Sequence, residues 1–372
     1  MGFEPKSLVS IRLTLLAGCV LLGARAEAQH YKQTSLVSDQ AGAAVLDGSL
    51  VNPWGLSRSS GSPWWAADNG AGVATLYNGT TGAKQGLVVT VPPFPGSSDP
   101  GVPTGTLFNG TTEFELTAGN PARFLFATED GTISGWNPAV DPTHAVVMVK
   151  NKTAVYKGLA IASRGTSHLL YVTNFAKGRV EAYDSAFKRV HLGDGDHDGD
   201  DDRFQDERLP HGFAPFGVQN IGGELFVTFA KRDPATNDDV KGAGLGYVDV
   251  FSPSGRLLRR LEHGPWLNAP WAVALAPGDF GAFSHNLLVG QFGSGEIAAY
   301  DIVTGKFIGK MLDSVSGGTL VIDGLWALSF GNGANAGPLN SLFFTAGIED
   351  ESHGLFGNLT PLGTEQLLGN GQ

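Results

Sequence analysis

The stretch "FAPFGVQNIGGELFVTFA", residues 213–230, decides the fold because its pattern recurs along the chain. Its first half sets an aromatic residue, Phe216, directly before a small one, Gly217, at the start of an apolar run. Its second half is an apolar segment that follows a glycine-rich turn. Short apolar segments joined by glycine turns predict antiparallel β-strands.

The first half of this stretch occurs in six related copies. The others are "NPWGLS" (52–57), "VPTGTLF" (102–108), "VYKGLAI" (155–161), "NAPWAVAL" (268–275) and "IDGLWALSF" (322–330). The aligned small residues are Gly55, Gly105, Gly158, Gly217, Ala272 and Ala327, at spacings of 50, 53, 59, 55 and 55 residues. A near-constant period of this length predicts a ring or array of similar units.

A second pattern runs in phase with the first. A glycine opens an alternating stretch that ends on a bulky residue five places later, as in "GRVEAY" (178–183) and "GEIAAY" (295–300). An apolar segment precedes each such glycine, and a turn follows most of them. Each unit therefore predicts four short antiparallel strands. Six such units predict an all-β fold, a six-bladed β-propeller.

The two ends of the repeat region complement each other. The last unit ends with "GLFGNLTP" (354–361) and lacks a convincing fourth strand, whereas "YKQTSLVS" (31–38) is a strand without a unit of its own. Pairing the two would complete the last blade and remove an exposed edge. We therefore expect one propeller domain over residues 29–361 with a tail at 362–372. A β-solenoid or two sandwiches would not use the spare strand.

Residues 1–28 have the pattern of a signal peptide. Lys6 and Arg12 precede an apolar run over 13–24, and Ala26-Glu27-Ala28 fits the cleavage pattern. The run is too short for a permanent anchor, so we expect no transmembrane segment in the mature chain and a secreted or periplasmic protein. The alternative is a lipoprotein anchored through Cys19, the only cysteine, in "LAGC" (16–19).

Composition narrows the function classes. The net charge is −11 and no basic stripe is present, which excludes nucleic acid as an expected partner. The sequence contains no G-x-S-x-G, H-E-x-x-H or Walker motif, and plain signal cleavage would leave no cysteine. We expect a monomer whose partner is a protein, a glycan or a small molecule.

Polar residues are expected to converge at one mouth of the central channel. In a propeller, the loops entering the innermost strands meet the loops between second and third strands on the same face, where ligands bind. The principal candidates are Asn52, Asp68, Glu129, Lys157, Asn174, Asn268, Gln291 and Asp323. The same loops also carry Asn69, Asp130, Lys231, Arg232, Glu349, Asp350 and Glu351. Tight turns also use Asp and Asn, so turn chemistry is the favoured interpretation for any single residue, whereas the group as a whole favours a site.

The stretch "DGDHDGDDD" (194–202) is the most acidic part of the chain. Its alternate carboxylates follow a calcium-loop pattern, with Ca²⁺ as the predicted cofactor. The predicted ligands are Asp194, Asp196, Asp198, Asp200 and Asp202. The twelfth position is Gln205 rather than glutamate, and no helices flank it, so this would be a free calcium loop beside the channel mouth. The alternative is a solvated acidic loop.

The chain resembles a family of secreted bacterial proteins of unassigned function. The resemblance is carried by residues 209–231, "GYVDVFSPSGRLLRRL" (246–261), "LNAPWAVALAP" (267–277), "IDGLWALSFGNG" (322–333) and "LFFTAG" (342–347). It covers residues 31–361 and implies a six-bladed propeller similar to NHL-type propellers, without a reaction. Some members carry a PEP-CTERM sorting tail, which this chain lacks, and the acidic run looks like an insertion.

Two function classes remain open from the sequence. The first is a binding scaffold that uses the loop-rich face around the channel. The alternative is a hydrolase or lactonase with a divalent cation at the channel mouth, for which Asn174, Glu129, Asn268 and Asp323 would be the ligands. An apolar or lysine-plugged channel would argue against the enzyme.

Overall fold

The computed structural model describes residues 1–2, 29–192 and 204–366, and it is a six-bladed β-propeller. The innermost strands are Pro53–Ser57, Pro103–Phe108, Tyr156–Arg164, Phe213–Ile221, Pro270–Leu275 and Leu325–Phe330. The second strands are Trp64–Asp68, Phe124–Thr128, Ser167–Asn174, Glu224–Arg232, Leu287–Gln291 and Leu342–Ala346. The third strands are Val73–Tyr77, Thr132–Trp136, Arg179–Tyr183, Gly246–Phe251, Ile297–Tyr300 and Leu355–Pro361.

The outer strands complete the sheets and confirm the predicted closure. Blades 1 to 5 end with the outer strands Lys84–Thr90, Val146–Lys150, Arg189–Val190, Leu257–Arg260 and Phe307–Lys310. Blade 6 takes its outer strand from the start of the repeat region, because His30–Ser38 pairs antiparallel with Leu355–Pro361. The register runs from Tyr31 opposite Pro361 to Ser38 opposite Leu355. We call His30–Ser38 the closing strand.

Short strands and helical turns are added to the six blades. The strands Glu115–Thr117 and Asn120–Pro121 form a separate hairpin, and Asp239–Val240 adds to blade 4. Val45–Leu46 and Leu312–Asp313 pair parallel with the closing strand. The helical pieces are the 3₁₀ turns Asn69–Ala71 and Gly281–Phe283 and the α-helix Gly363–Gln366. In the described ranges no helix has the length and hydrophobicity needed to cross a bilayer.

Crowding at the propeller axis explains the small residue in each repeat. A Cβ added to Gly55 would lie 2.5 Å from the backbone nitrogen of Thr106 in the next blade. One added to Gly217 would lie 2.1 Å from the backbone oxygen of Trp271. Both distances are shorter than non-bonded atoms allow, so the inner strands can approach only where side chains are absent or small.

The apolar core is divided among the blade interfaces. Six buried clusters each combine residues of two neighbouring blades, so every blade packs on both of its neighbours. A further cluster lies at the axis and joins Trp54, Phe216 and Trp326, among others. The bulk of the hydrophobic stabilisation therefore lies between blades, which makes closure of the ring important for the whole fold.

Candidate functional site

Side chains from the inner strands close the central channel. The residue directly before the small residue of each repeat lies where the channel is closed. These residues are Trp54, Thr104, Lys157, Phe216, Trp271 and Trp326. Trp54 stacks on Trp326 with ring centroids 3.4 Å apart and meets Phe216, of the opposite blade, at 6.4 Å. Because contacts reach across the ring, the channel is plugged by aromatic side chains at this level. The aromatic residue of the sequence repeat is thus the floor of the site.

Lys157 supplies a buried cation to this floor. Its side chain is 3% exposed, and its ammonium lies 4.6 Å from the Trp54 ring centroid and within 6 Å of the Phe175 and Phe216 rings. It forms an ion pair with Glu129 of blade 2. The aromatic faces and the carboxylate both favour the charged amine, which offsets its removal from water.

Amide and carboxylate groups form a polar layer beside Lys157. Asn69 Nδ2 donates to Glu129 Oε2 at 3.0 Å, so both oxygens of Glu129 are bonded. Asn52 Nδ2 donates to Glu351 Oε2 at 2.9 Å, and Asn52 Oδ1 accepts from Trp326 Nε1 at 3.0 Å. Asn52 therefore ties the acidic loop of blade 6 to the aromatic floor.

Blade 4 contributes two further charged residues, Asp239 and Lys241, from the long loop between its second and third strands. Burial raises the pKa of Asp239 to about 6; Lys157 and Lys241 oppose the shift and Glu351 adds to it. Burial likewise raises the pKa of Glu351, and the charge of Glu129 adds to that shift. The carboxylates of blades 2, 4 and 6 thus interact with one another around Lys157. We call Asn52, Glu129, Lys157, Asp239 and Glu351 the mouth cluster.

Buried polar atoms of the mouth and its floor lack a partner among the described residues. They include Asp239 Oδ2 and the indole nitrogens of Trp271 and of Trp54, which is 3% exposed. Buried polar groups are nearly always hydrogen-bonded, and leaving one unpaired costs about 1–3 kcal/mol. The mouth is therefore a place where a bound group would complete unsatisfied hydrogen bonds.

Backbone strain concentrates at the same face. Glu349, Asp350 and Glu351 are three consecutive non-glycine residues with φ of 55°, 51° and 65°. Asn52 and Ala269, directly before two inner strands, have φ of 45° and 46°. Each such residue costs about 1–2 kcal/mol, and such strain is characteristic of functional sites.

Several predicted site residues lie inside their blades instead of facing the mouth. Asp68, Asn174 and Gln291 are fully buried. Asp68 accepts from Thr75 Oγ1 at 2.6 Å, and Asn174 Nδ2 donates to Glu181 at 3.1 Å. Gln291 Oε1 accepts from the backbone N–H of Asn268 at 2.9 Å. These side chains hold loops and strands together.

The remaining two candidates also stabilise loops. Asn268 Oδ1 accepts from the backbone N–H of Gly242 at 2.6 Å. Asp323 Oδ2 accepts from the backbone N–H of Glu349 at 2.8 Å and so supports the strained turn of blade 6. Sequence reasoning did not single out Asp239 and Lys241, because their position follows from the length of the blade 4 loop. The candidates from the sequence were instead Lys231 and Arg232, at the end of the second strand of blade 4.

The ligand set of the hydrolase alternative is not assembled. Asn174 is bonded to Glu181, Asn268 to Gly242 and Asp323 to Glu349, while Glu129 is neutralised by Lys157. Within the described ranges no three His, Cys, Asp or Glu side chains are grouped so that they could hold a metal ion. The ammonium group of Lys157 beside the aromatic floor would repel a divalent metal ion at this mouth.

The predicted calcium ligands Asp194, Asp196, Asp198, Asp200 and Asp202 lie outside the described residues. The chain on both sides of them is buried. Leu192 and Phe204 belong to the cluster between blades 3 and 4, where Phe204 packs on Tyr171 and Phe251 at centroid distances of 5.6 and 5.2 Å.

Two cavities lie away from the mouth. One, of about 50 Å³, is the channel lumen on the other side of the aromatic floor, lined by residues of all six inner strands. The other, of about 460 Å³, is on the opposite face at blades 2 and 3, where His168 Nδ1 meets Glu113 Oε1 at 3.1 Å. Neither includes a predicted site residue.

Comparisons with known proteins give relatives without an assigned activity. The chain is 32% identical over 346 residues to uncharacterized protein R648 of Acanthamoeba polyphaga mimivirus, covering 91% of this chain and 82% of that protein. It is 31% identical over 348 residues to uncharacterized protein L690 of the same virus, covering 91% and 87%. Both relatives are viral, whereas the sequence resemblance implied a bacterial source.

Neither remaining comparison adds an activity. No protein-family model matches the chain. Among solved structures, the streptogramin B lyase structure covers 90% of this chain and 98% of its own, with 12% identity and a TM-score of 0.49. The assignment of the propeller therefore rests on the strand order and register of the chain itself.

Proposed function

Because the chain belongs to the family of the uncharacterized mimivirus proteins R648 and L690, whose names give no activity, we propose its function from its own geometry. It is a binding scaffold whose ligand occupies the channel mouth on the loop-rich face. The observation that carries this proposal is the mouth cluster, in which side chains of blades 1, 2, 3, 4 and 6 meet around one buried ammonium group.

The support is chemical as well as geometric. The site combines an aromatic floor, paired and unpaired carboxylates, and buried polar atoms that have no partner among the described residues. A few convergent polar groups above an apolar base are typical of ligand sites. The strained turn Glu349–Glu351 is held in place by Asp323 and Asn52, which keeps Glu351 at the mouth at a cost in stability.

The test is a thermal-shift screen of small amines, polyols, sugars and carboxylates against the native protein and Glu351→Gln. Ligands of the mouth should stabilise the native protein and lose most of that effect in Glu351→Gln. Glu224→Gln is the matched control, because Glu224 pairs with Arg259 on the opposite face at 3.1 Å. Shifts that are equal in the native protein and Glu351→Gln would contradict a mouth ligand.

A calcium-binding role for the acidic stretch is a second, separate proposal. Its support is the spacing of the carboxylates at Asp194, Asp196, Asp198, Asp200 and Asp202, together with buried anchors on both sides at Leu192 and Phe204. A hard cation would relieve repulsion among the carboxylates. Calcium should raise the melting temperature of the native protein but not that of Asp196→Ala/Asp198→Ala; equal shifts would leave only a solvated loop.

Secretion is proposed from the sequence of residues 1–28 alone. Cleavage after Ala28 would release the propeller outside the cytoplasm, and lipidation of Cys19 is the alternative. Mass spectrometry of the exported mature protein separates the two, because the first product begins at Gln29 and the second carries a lipid on Cys19. A product that retains Met1 would contradict both.

A further inference from the structure

We propose that the channel mouth binds a protonated primary amine, with the carboxylates of Asp239 and Glu351 as its acceptors. This inference rests on the proposed function, since it names the chemical class of the ligand for the same site. It is carried by the unpaired buried oxygen of Asp239, by the excess of carboxylates over cations at the mouth, and by the environment that this mouth already provides for Lys157.

The unpaired oxygen gives the ligand a defined place to bind. Asp239 Oδ2 is buried and accepts no hydrogen bond from the described residues. A carboxylate oxygen can only accept, so the group that completes it must be a donor. A charged donor fits better than a neutral one, because hydrogen bonds between charged groups are about twice as strong.

The charge balance of the mouth selects a cation. Glu129, Asp239 and Glu351 contribute three negative charges, and Lys157 and Lys241 contribute two positive ones, which leaves a net charge of −1 when all are ionised. Besides burial, the charge of Glu351 raises the pKa of Asp239 and the charge of Glu129 raises that of Glu351, so neighbouring carboxylates repel each other. An anion would increase this repulsion and an ammonium group would reduce it.

Lys157 demonstrates that this mouth accommodates an ammonium group. Its Nζ pairs with Glu129 and lies over the Trp54 ring. Lys241, an exposed residue, places its Nζ 4.3 Å from the Phe292 ring centroid on the same floor. Aromatic faces attract cations more strongly than neutral donors.

A divalent metal ion fits the same groups poorly. Both oxygens of Glu129 are already bonded, one of them to an ammonium group that would repel a cation of charge +2. A monovalent ammonium carries less charge and makes directional hydrogen bonds to single oxygens such as Asp239 Oδ2. The indole N–H of Trp54, also unpaired, could donate to an oxygen on the same ligand.

The experiment is a calorimetric titration of the full chain at pH 7.5 with four probes that share a five-carbon backbone. The probes are 1,5-diaminopentane, 5-amino-1-pentanol, 1,5-pentanediol and glutarate. The two amines should bind, whereas the diol and the dianion should not. N-acetyl-lysine amide is a further probe, and its binding would identify the lysine side chain of a partner, instead of a free amine, as a source.

Substitutions test whether the amine binds at Asp239. Asp239→Asn keeps the shape and removes the charge, so the Kd for the amines should rise about ten- to a hundredfold. Glu224→Gln, on the opposite face, should leave the Kd unchanged. An unchanged melting temperature and circular dichroism spectrum would show that Asp239→Asn is folded.

Acidification provides an independent readout. Asp239 faces Lys157, Lys241 and Glu351 and titrates near pH 6, while aliphatic amines stay protonated to about pH 10. Affinity should therefore fall several-fold between pH 7.5 and 5.5 in the native protein, and the fall should be smaller in Asp239→Asn. A flat profile in the native protein would remove Asp239 as the acceptor.

The outcomes separate the two proposals. If the diol or glutarate binds and Glu351→Gln or Asp239→Asn weakens it, the amine assignment is wrong and the mouth remains a ligand site. If the amines bind equally to all variants, they bind elsewhere and the inference is overturned. If no five-carbon probe binds, the amine assignment is likewise overturned, and the wider screen decides the proposed function.

Discussion

Asp68 shows that residue type alone does not tell whether an aspartate belongs to the channel mouth or to the buried interior of a blade. In the sequence it opens "DNG" (68–70), for which turn chemistry is favoured over a site at the channel mouth. In the fold its carboxyl group is fully buried, one oxygen accepts from Thr75 and the other has no partner in the described part of the chain. Nearby Asp47 is bonded to Lys84 and Tyr77, and these bonds hold its pKa below the usual value despite burial, whereas burial raises the pKa of Asp68. Only the tertiary environment determines this difference.

A charge-removing substitution at Asp68 should change the pH dependence of stability. Burial raises the pKa of Asp68 well above its usual value, and the charge of Asp47 adds to the shift. The folded state then holds a proton that the unfolded state releases near pH 4, so this contribution to stability decreases as pH rises above 4, by about 1.4 kcal/mol per pH unit until the folded-state pKa is reached. Asp68→Asn should lack this decrease.

Urea unfolding of both proteins at pH 5 and pH 8 measures this difference. The native protein should lose more stability between the two pH values than Asp68→Asn does. Asp99→Asn, at an exposed position, is the control for loss of one negative charge. Parallel stability curves for the native protein and Asp68→Asn would show that Asp68 is ionised in the fold.

At the scale of elements, threonines of the second strands join neighbouring blades. Thr345 Oγ1 donates to the backbone oxygen of Trp54 at 2.6 Å and accepts from the backbone N–H of Ala327 at 3.2 Å. Thr173 makes the equivalent bonds to Phe216 and Gly158, both at 2.8 Å. These residues recur in the sequence as "LYVTNF" and "LFFTAG". The role of these threonines could not be predicted from the sequence, because one hydrogen-bond partner of each lies in the next blade.

Thr345→Val should destabilise the seam between the last blade and the first. Valine has the same shape but no hydroxyl group, so the carbonyl of Trp54 and the N–H of Ala327 would be buried without partners. We expect a loss of about 1–3 kcal/mol in the free energy of unfolding, measured with urea. Thr345→Ser keeps the hydroxyl group and should recover most of the loss. Equal losses for Val and Ser would assign the effect to packing instead.

At the scale of the whole molecule, the ring was predictable, whereas the full set of residues at the mouth was not. Period, strand count and closure follow from local patterns that repeat, such as the aromatic-small step at Trp54-Gly55 and Phe216-Gly217. The mouth depends on where unlike loops meet. Asp239 reaches it through a loop that no other blade has, and Glu351 reaches it through a strained turn. Features without a repeat cannot be read from periodicity.

Closure of the ring by the closing strand makes a large contribution to the stability of the whole propeller. The closing strand buries Tyr31, Leu36 and Val37 almost completely and pairs with every residue of Leu355–Pro361. Each of these side chains contributes about 1.5–3 kcal/mol when buried, so a chain that begins after Ser38 should lose about 5 kcal/mol or more. Its unpaired third strand in blade 6 should also cause self-association, since an open edge pairs readily.

A peptide corresponding to residues 30–38 tests whether pairing or covalent continuity closes the ring. Added to the shortened chain, it should restore the melting temperature and return the protein to a monomer by light scattering, because register and burial depend on the strand and not on its connection. A scrambled peptide of the same composition should do neither, since it cannot place Tyr31, Leu36 and Val37 in their buried positions. A shortened chain as stable as the full one would mean that five complete blades hold the sixth without its outer strand.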